Sequence, residues 1–133
     1  MKGIIILAVL IGGILVVTLN PHLVADQVLD WAQQNTTNVN TPEILFDTAH
    51  ACQTLQDGDT AIRVYNYLYQ QYPDNAVLCA QAMYYCGKIK ADSSYLKGIR
   101  VQALPFLDIV INEYSKQQEW ADKAQQLKDE VIK

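Results

Sequence analysis

The first twenty residues carry the feature that most limits how this chain can fold. From Gly3 to Leu19 the sequence reads GIIILAVLIGGILVVTL, which has no charged residue and only one hydroxyl, at Thr18. A helix of that length extends about 25 Å, close to the hydrocarbon thickness of a bilayer. A domain this small could not cover a helix that is apolar on every side. We therefore predict that residues 3–19 contact a lipid bilayer and that residues 1–20 form a transmembrane anchor.

The residues around this segment predict its orientation. Lys2 precedes the span, and no lysine or arginine follows it until Arg63, so the N-terminus is predicted to be cytoplasmic. Cleavage of a signal peptide needs small residues at the −3 and −1 positions, and Ala25 has Leu23 at the −3 position. We predict a retained single-pass anchor in the inner (cytoplasmic) membrane, with a periplasmic or otherwise extracytoplasmic C-terminal domain. Removal of residues 1–25 is the alternative.

A short juxtamembrane region follows the predicted anchor. Asn20 and Pro21 are suited to the N-cap and first position of a helix, PHLVADQVLDWAQQ. The apolar residues predicted to share one side of that helix are Leu23, Val24, Val28, Trp31 and Ala32. The polar stretch that follows has no periodicity and ends in Thr41-Pro42, a typical helix start. Residues 21–41 are therefore predicted to be an amphipathic helix and a linker, and residues 42–133 the main domain.

Apolar residues in the main domain recur at helical spacing. Tyr65, Leu68, Tyr69 and Tyr72 follow Ala61 at offsets of four, seven, eight and eleven residues, before Pro73. Asp57-Gly58 is predicted to end the preceding helix, and Asp59 to cap this one. Further helices are predicted over about 76–90 and 119–133, with a break near Leu104 because of Pro105. No segment has the pattern of a strand, so the predicted fold class is all-α.

The helical pattern repeats after 42 residues. This shift places Ala61 on Ala103, Tyr65 on Leu107, Leu68 on Val110, Tyr72 on Tyr114 and Ala82 on Ala124. A small side chain recurring in each helix pair allows the two helices to approach closely, which indicates an α-α hairpin repeat. The predicted repeat-packing residues are Ala61, Tyr65, Leu68, Tyr72, Pro73, Ala82, Gly87, Ala103, Leu107, Tyr114 and Ala124.

The segment GDTAIRVYNYLYQQYPDNAVLCAQAMYYCGK resembles tetratricopeptide repeats of bacterial envelope proteins, of the Tol-Pal coordinator and outer-membrane assembly lipoprotein type. The matching residues are Gly58, Asp59, Ala61, Tyr65, Tyr72, Pro73, Ala82, Tyr84 and Gly87. The resemblance covers residues 43–133, and with the apolar N-terminus the chain is also similar to the ancillary subunit of the Sec translocon. It implies a transmembrane helix followed by a short solenoid of about two and a half hairpins, with a groove that binds a partner's peptide or helix.

Residues suited to catalysis are sparse. His50 follows Asp47 by three positions, but no nucleophile motif joins them, and the cysteines match no zinc spacing. The ten basic residues are scattered, so no nucleic-acid partner is indicated. We predict that the chain is not an enzyme, has no cofactor or metal site, and takes no small-molecule substrate. Cys52, Cys79 and Cys86 are expected either to be free thiols or to include one disulfide from Cys52.

These patterns favour a protein–protein interaction module anchored in a membrane, acting as an accessory or scaffolding subunit of a larger membrane protein complex. The predicted partners are other subunits of that complex. The alternative is an exported soluble periplasmic protein that binds peptides or envelope proteins transiently. The partner-binding candidates are Tyr67, Gln53, Gln81, Tyr84 and Lys88. Tyr67 is included because it lies outside the stripe that begins at Ala61.

Overall fold

The computed structural model describes residues 20–92 and 97–133, and within these ranges the chain is all-α, as predicted. The helices are α1 (Pro21–Gln34), α2 (Thr41–Thr54), α3 (Gly58–Gln71), α4 (Ala76–Asp92), α5 (Lys97–Arg100), a 3-10 helix (Val101–Ala103), α6 (Leu104–Glu113) and α7 (Gln118–Ile132). No helix in the described ranges is both long enough and apolar enough to cross a bilayer. The predicted span, residues 3–19, lies outside them.

The chain divides into two compact units, Met1–Leu68 (unit 1) and Tyr69–Lys133 (unit 2), with the boundary inside α3. In unit 1, α1 packs against α2. In unit 2, α4 packs against both α6 and α7, and α6 packs against α7. Each unit therefore has a helix-on-helix core of its own.

The start of α1 follows the sequence prediction. The Asn20 side chain accepts a hydrogen bond from the Leu23 backbone N–H at 3.1 Å, and Pro21 occupies the first turn. The predicted apolar side is only partly right, because Val24 and Val28 are buried whereas Leu23 is 47% exposed. Residues four apart share a helix face, and Leu23 lies about 100° from the stripe that Val24 and Val28 form.

The turn between α2 and α3 differs from the prediction. Gln56 has a φ of 67°, and the Asp57 N–H donates to the Cys52 carbonyl at 3.0 Å, a Schellman arrangement in which Gln56 takes the place usual for glycine. Gly58 begins α3, and the Asp57 carboxylate accepts from the Thr60 N–H at 3.3 Å. The predicted cap at Asp59 is therefore wrong, because the capping side chain must precede the helix by one residue.

The proline positions agree with the sequence prediction. Helix α3 ends at Gln71, two residues before Pro73. Pro105 lies in the first turn of α6, where its missing N–H leaves no intrahelical bond unmade. The 3-10 helix ends just before α6, so the predicted break near Leu104 is confirmed.

Most of the predicted packing residues are buried. Those with no exposed surface are Ala61, Tyr65, Leu68, Ala82, Ala103, Leu107 and Ala124, and Gly87 and Tyr114 are also buried. Tyr72 is half-buried. Pro73 is exposed, so its prediction as a packing residue is wrong, although its carbonyl accepts a hydrogen bond from the Tyr114 hydroxyl at 2.8 Å.

All three cysteines are buried free thiols, so the disulfide alternative from Cys52 is not found. Burial raises the pKa of the Cys52 thiol from 9.0 to about 11, and it raises the pKa of Cys79 and of Cys86 as well. The thiolate is the nucleophilic form, so these thiols are poor nucleophiles in the folded chain.

Three tyrosines of unit 2 also ionise above their usual range. Burial is the main cause that raises the pKa of Tyr69, Tyr84 and Tyr114 from the ordinary value of 10.0. The Tyr69 hydroxyl also donates to the Glu113 carboxylate at 2.8 Å, which favours its protonated form. The folded state therefore holds protons that the unfolded chain releases at lower pH.

We predict that the free energy of unfolding falls as the pH rises through about 9 and then 10. Below the pKa values of the unfolded chain, these thiols and hydroxyls contribute their full share to the free energy of unfolding. Above those values, each group that titrates lowers the free energy of unfolding by up to about 1.4 kcal/mol per pH unit. Denaturant titrations at a series of alkaline pH values measure the slope. Tyr114→Phe should lower stability by about 1 kcal/mol at neutral pH and make the alkaline slope shallower. An unchanged slope would show that Tyr114 ionises normally.

A candidate interaction cleft

Helices α4 and α7 of unit 2 form a cleft of about 190 Å³. The residues that line it are Tyr84, Lys88 and Asp92 from α4, and Lys123, Gln126, Leu127 and Glu130 from α7. The α4 residues recur every four positions, and the α7 residues follow Lys123 at offsets of three, four and seven, so each set lies on one face of its helix. The cleft is therefore a groove between two rows of side chains.

The two helices run in the same direction along the groove. Tyr84 contacts Trp120, which lies in the first turn of α7. Asp92, the last residue of α4, lines the same cleft as Glu130, near the end of α7. In an antiparallel pair these last two residues would lie at opposite ends of the groove.

Three aromatic rings in mutual contact lie beside one end of the groove. The ring centroids are 5.5 Å apart for Tyr84 and Trp120, 5.8 Å for Tyr85 and Trp120, and 5.7 Å for the two tyrosines. The ring planes are tilted by 54° to 62°, a favourable arrangement for aromatic pairs. All three side chains are half-buried, so they form an apolar surface that water can still reach.

Lys123 is held against this aromatic group. Its ammonium lies 4.4 Å from the Trp120 ring centroid and 3.0 Å from the Glu119 carboxylate. The hydrogen bond to Glu119 raises the pKa of Lys123, whereas the Lys123 charge acts to lower the pKa of Tyr84 against the larger effect of burial. The charge of Lys123 is therefore shared between a carboxylate and an aromatic face.

Three other charged side chains line the cleft. Lys88 and Asp92 are exposed on α4, and Glu130 is exposed on α7. In residues 20–92 and 97–133, none of these three groups forms an ion pair. Lys88 precedes Asp92 by four residues, the weaker order for a pair on one helix. All three charges are available to a molecule that enters the groove.

The structure brings together two of the five partner-binding candidates. Tyr84 and Lys88 line the cleft, and Gln81 is half-buried on the same helix. Gln53 and Tyr67 belong to unit 1. Tyr67 is half-buried, and Gln53 accepts a hydrogen bond from the buried Tyr65 hydroxyl at 2.8 Å, so Gln53 supports the packing of unit 1.

Sequence reasoning missed the α7 side of the cleft, although the signal was present. The shift of 42 residues that relates the helices places Gln81, Tyr84 and Lys88 on Lys123, Gln126 and Glu130. All three of these α7 residues line the cleft. The contact of Trp120 with the Lys123 ammonium has no such signal, because it depends on side-chain conformations along α7.

His50 takes part in a hydrogen-bond network of unit 1. The Tyr65 hydroxyl donates to the Gln53 amide oxygen, so its own oxygen can accept a hydrogen bond from the Nδ1–H of His50, at 3.3 Å. The His50 ring also stacks on Phe46 with centroids 6.1 Å apart. Within the described ranges no three His, Cys, Asp or Glu residues are grouped as a metal site. These contacts give His50 a role in positioning Tyr65.

No protein-family model matches this chain, and neither does any curated protein or any solved structure. The tetratricopeptide resemblance therefore has no support from other proteins and stays a prediction.

Proposed function

We propose that this chain is a membrane-anchored protein–protein interaction module, an accessory or scaffolding subunit of a larger membrane protein complex. The observation that carries the proposal is the half-buried aromatic group of Tyr84, Tyr85 and Trp120 beside a groove whose Lys88, Asp92 and Glu130 form no ion pair with any residue that the structure describes. Tyrosine and tryptophan supply much of the binding energy in protein interfaces, and charged groups at the rim steer the approach of a partner.

The tetratricopeptide resemblance is a second support for this proposal. In that hypothesis α4 and α7 are the first helices of two successive hairpins, and first helices line the groove that receives a partner. Tyr84 and Lys88 were selected from the sequence on this basis, and both line the cleft. Under this proposal residues 3–19 hold the groove near a membrane and so raise the effective concentration of a membrane partner.

Purification in mild detergent tests the proposal directly. We expect the chain to be recovered with the same partner subunits from native membranes in several gentle detergents. Lys88→Glu should reduce partner retention by at least about tenfold, because it reverses an exposed charge in the groove. Lys116→Glu is the matched control, since Lys116 is exposed in unit 2 but does not line the cleft.

Two results would contradict this function. Equal retention by the Lys88→Glu and Lys116→Glu variants would mean that the cleft is not the interface, provided that circular dichroism shows both variants folded. Recovery of the chain alone under every condition would rule out a stable subunit. The anchor is tested separately: an intact mass of 15.0 kDa from carbonate-washed membranes supports it, whereas a shorter form released by carbonate supports the exported alternative.

A further inference from the structure

The charges of the α4–α7 cleft are arranged in a fixed order along the groove. The aromatic pair Tyr84 and Trp120 lies at one end. One turn further along α4 comes Lys88, and Asp92 follows after one more turn. A turn of four residues advances about 6 Å along the axis, so aromatic, positive and negative zones succeed one another along α4.

Helix α7 places an aromatic ring and a carboxylate at the same two ends of the groove as α4 does. Trp120 is followed by Lys123, then by Leu127 in the wall, and then by Glu130. Because the two helices run in the same direction, the carboxylates of both walls, Asp92 and Glu130, fall in the far zone. The Lys123 ammonium stays at the aromatic end, over the Trp120 ring, so Lys88 alone supplies the positive charge of the middle zone.

We propose that the cleft binds an amphipathic helix whose contact face presents an apolar anchor, then an acidic side chain, then a basic side chain, one turn apart. This inference rests on the proposed interaction function and adds the chemistry of the partner. The apolar anchor packs on Tyr84 and Trp120, the acidic group pairs with Lys88, and the basic group pairs with Asp92 and Glu130.

A helical partner fits better than an extended one because of the spacing. The zones lie about 6 Å apart, and a helix laid along the groove advances at the same rate as α4 and α7, so its side chains at i, i+4 and i+8 meet successive zones. Residues of an extended strand that share one face advance by about 7 Å, and that strand would also need backbone partners that helix surfaces do not provide.

The order of the zones sets the specificity of the groove. A helix with the same composition but with acid and base exchanged would place its basic group beside Lys88 and its acidic group beside Asp92 and Glu130. Like charges placed side by side in this way repel, and opposite charges attract. A peptide that carries anchor, acid and base at i, i+4 and i+8 matches the three zones only when it runs in the same direction as α4 and α7.

The test uses the full chain in detergent with Trp31→Phe, which leaves Trp120 as the only tryptophan. Two synthetic helical peptides of identical composition are titrated while the fluorescence of Trp120 is followed. One peptide carries leucine, glutamate and lysine at i, i+4 and i+8, and the other carries leucine, lysine and glutamate. We expect the first peptide to bind about tenfold more tightly, the sum of two partly exposed ion pairs.

A charge-reversed variant separates groove recognition from the properties of the peptides. The two peptides differ in intrinsic helicity, because glutamate before lysine stabilises a helix more than the reverse order. In Lys88→Glu/Asp92→Lys the preference should reverse or vanish, whereas Lys116→Glu should keep it. Dividing the affinity ratio of the two peptides for the unreversed chain by their ratio for the charge-reversed variant cancels any difference in peptide helicity.

The outcomes distinguish this inference from the proposed function. Equal binding of both peptides, with loss of partner retention in Lys88→Glu, would overturn the charge order and leave the interaction function standing. If neither peptide binds and partner retention is unchanged in Lys88→Glu, the helical ligand and the proposed function are both wrong. Anionic lipid vesicles or a second copy of the chain could instead compete with the first peptide for the cleft. That result would overturn the helical partner and identify the competitor as the occupant.

Discussion

Replacing Tyr65 by alanine should lower the free energy of unfolding by about 3–5 kcal/mol, the range for deleting a large buried aromatic side chain. Tyr65 has no exposed surface, and its ring contacts Phe46 with centroids 5.6 Å apart. Its hydroxyl donates to the Gln53 amide oxygen. The substitution leaves a cavity in unit 1 and removes the donor to Gln53 in the same step.

Tyr65→Phe is the control, because it keeps the ring and removes only the hydroxyl. It should cost about 1 kcal/mol, the net contribution of one hydrogen bond. Urea titrations of both variants measure the two losses in the free energy of unfolding. Unfolding is followed by circular dichroism and, in a Trp120→Phe background, by the fluorescence of Trp31. If Tyr65→Ala cost no more than Tyr65→Phe, the ring would not be part of the core.

The contrast between Tyr65 and Tyr67 shows how far helical spacing predicts the core. Tyr65, Tyr67 and Tyr69 fall on every second residue, a pattern that suits a strand. The stripe that begins at Ala61 includes Tyr65 and excludes Tyr67, and the structure buries Tyr65 in a helix while leaving Tyr67 half-buried. Tyr69 and Tyr72 also belong to the stripe, and both are half-buried like Tyr67. The period of 3.6 residues therefore predicted the element type and the fully buried Tyr65, but not how deeply each member of the stripe is buried.

Helix boundaries were predicted less well, because neighbouring residues compete for the same role. Asp57 and Asp59 can each cap a helix, and Gly58 can either end one helix or begin the next. The choice depends on Gln56, whose φ of 67° completes the turn two residues before Gly58. Glutamine has no special preference for this conformation, so the sequence carries no signal for it.

The cleft was predictable from the sequence only in part. The shift of 42 residues carried enough information to align the two rows of cleft residues, because each row follows the period of its own helix. It carried no information on the free volume between the rows or on the position of the Lys123 ammonium over Trp120. Those features depend on how closely α4 and α7 pack and on side-chain conformations.

Gly87→Ala should destabilise unit 2 by about 1–3 kcal/mol, although alanine is the better helix former by about 1 kcal/mol. A Cβ at this position would lie 2.5 Å from Leu107 Cδ2 and 2.8 Å from Leu107 Cγ. Leu107 is fully buried, so it cannot turn into solvent to make room. The steric clash therefore outweighs the gain in helix propensity.

Gly98→Ala is the matched control, because a Cβ there meets no atom within 4 Å. Gly98 is exposed in the short helix α5, so the same substitution should be neutral or should stabilise by up to about 1 kcal/mol. Urea denaturation followed by Trp120 fluorescence measures the change in the free energy of unfolding for each substitution. Changes of opposite sign would identify the close approach of α4 and α6 as the cause.

A double-mutant cycle with Leu107 completes the test. Leu107→Ala alone should cost about 2–5 kcal/mol, because it empties a fully buried site. In that background Gly87→Ala should cost little or should stabilise, since the atoms that its Cβ would strike are gone. The expected coupling energy is about 1–3 kcal/mol. Additive costs would mean that Gly87 is required for some reason other than the contact with Leu107.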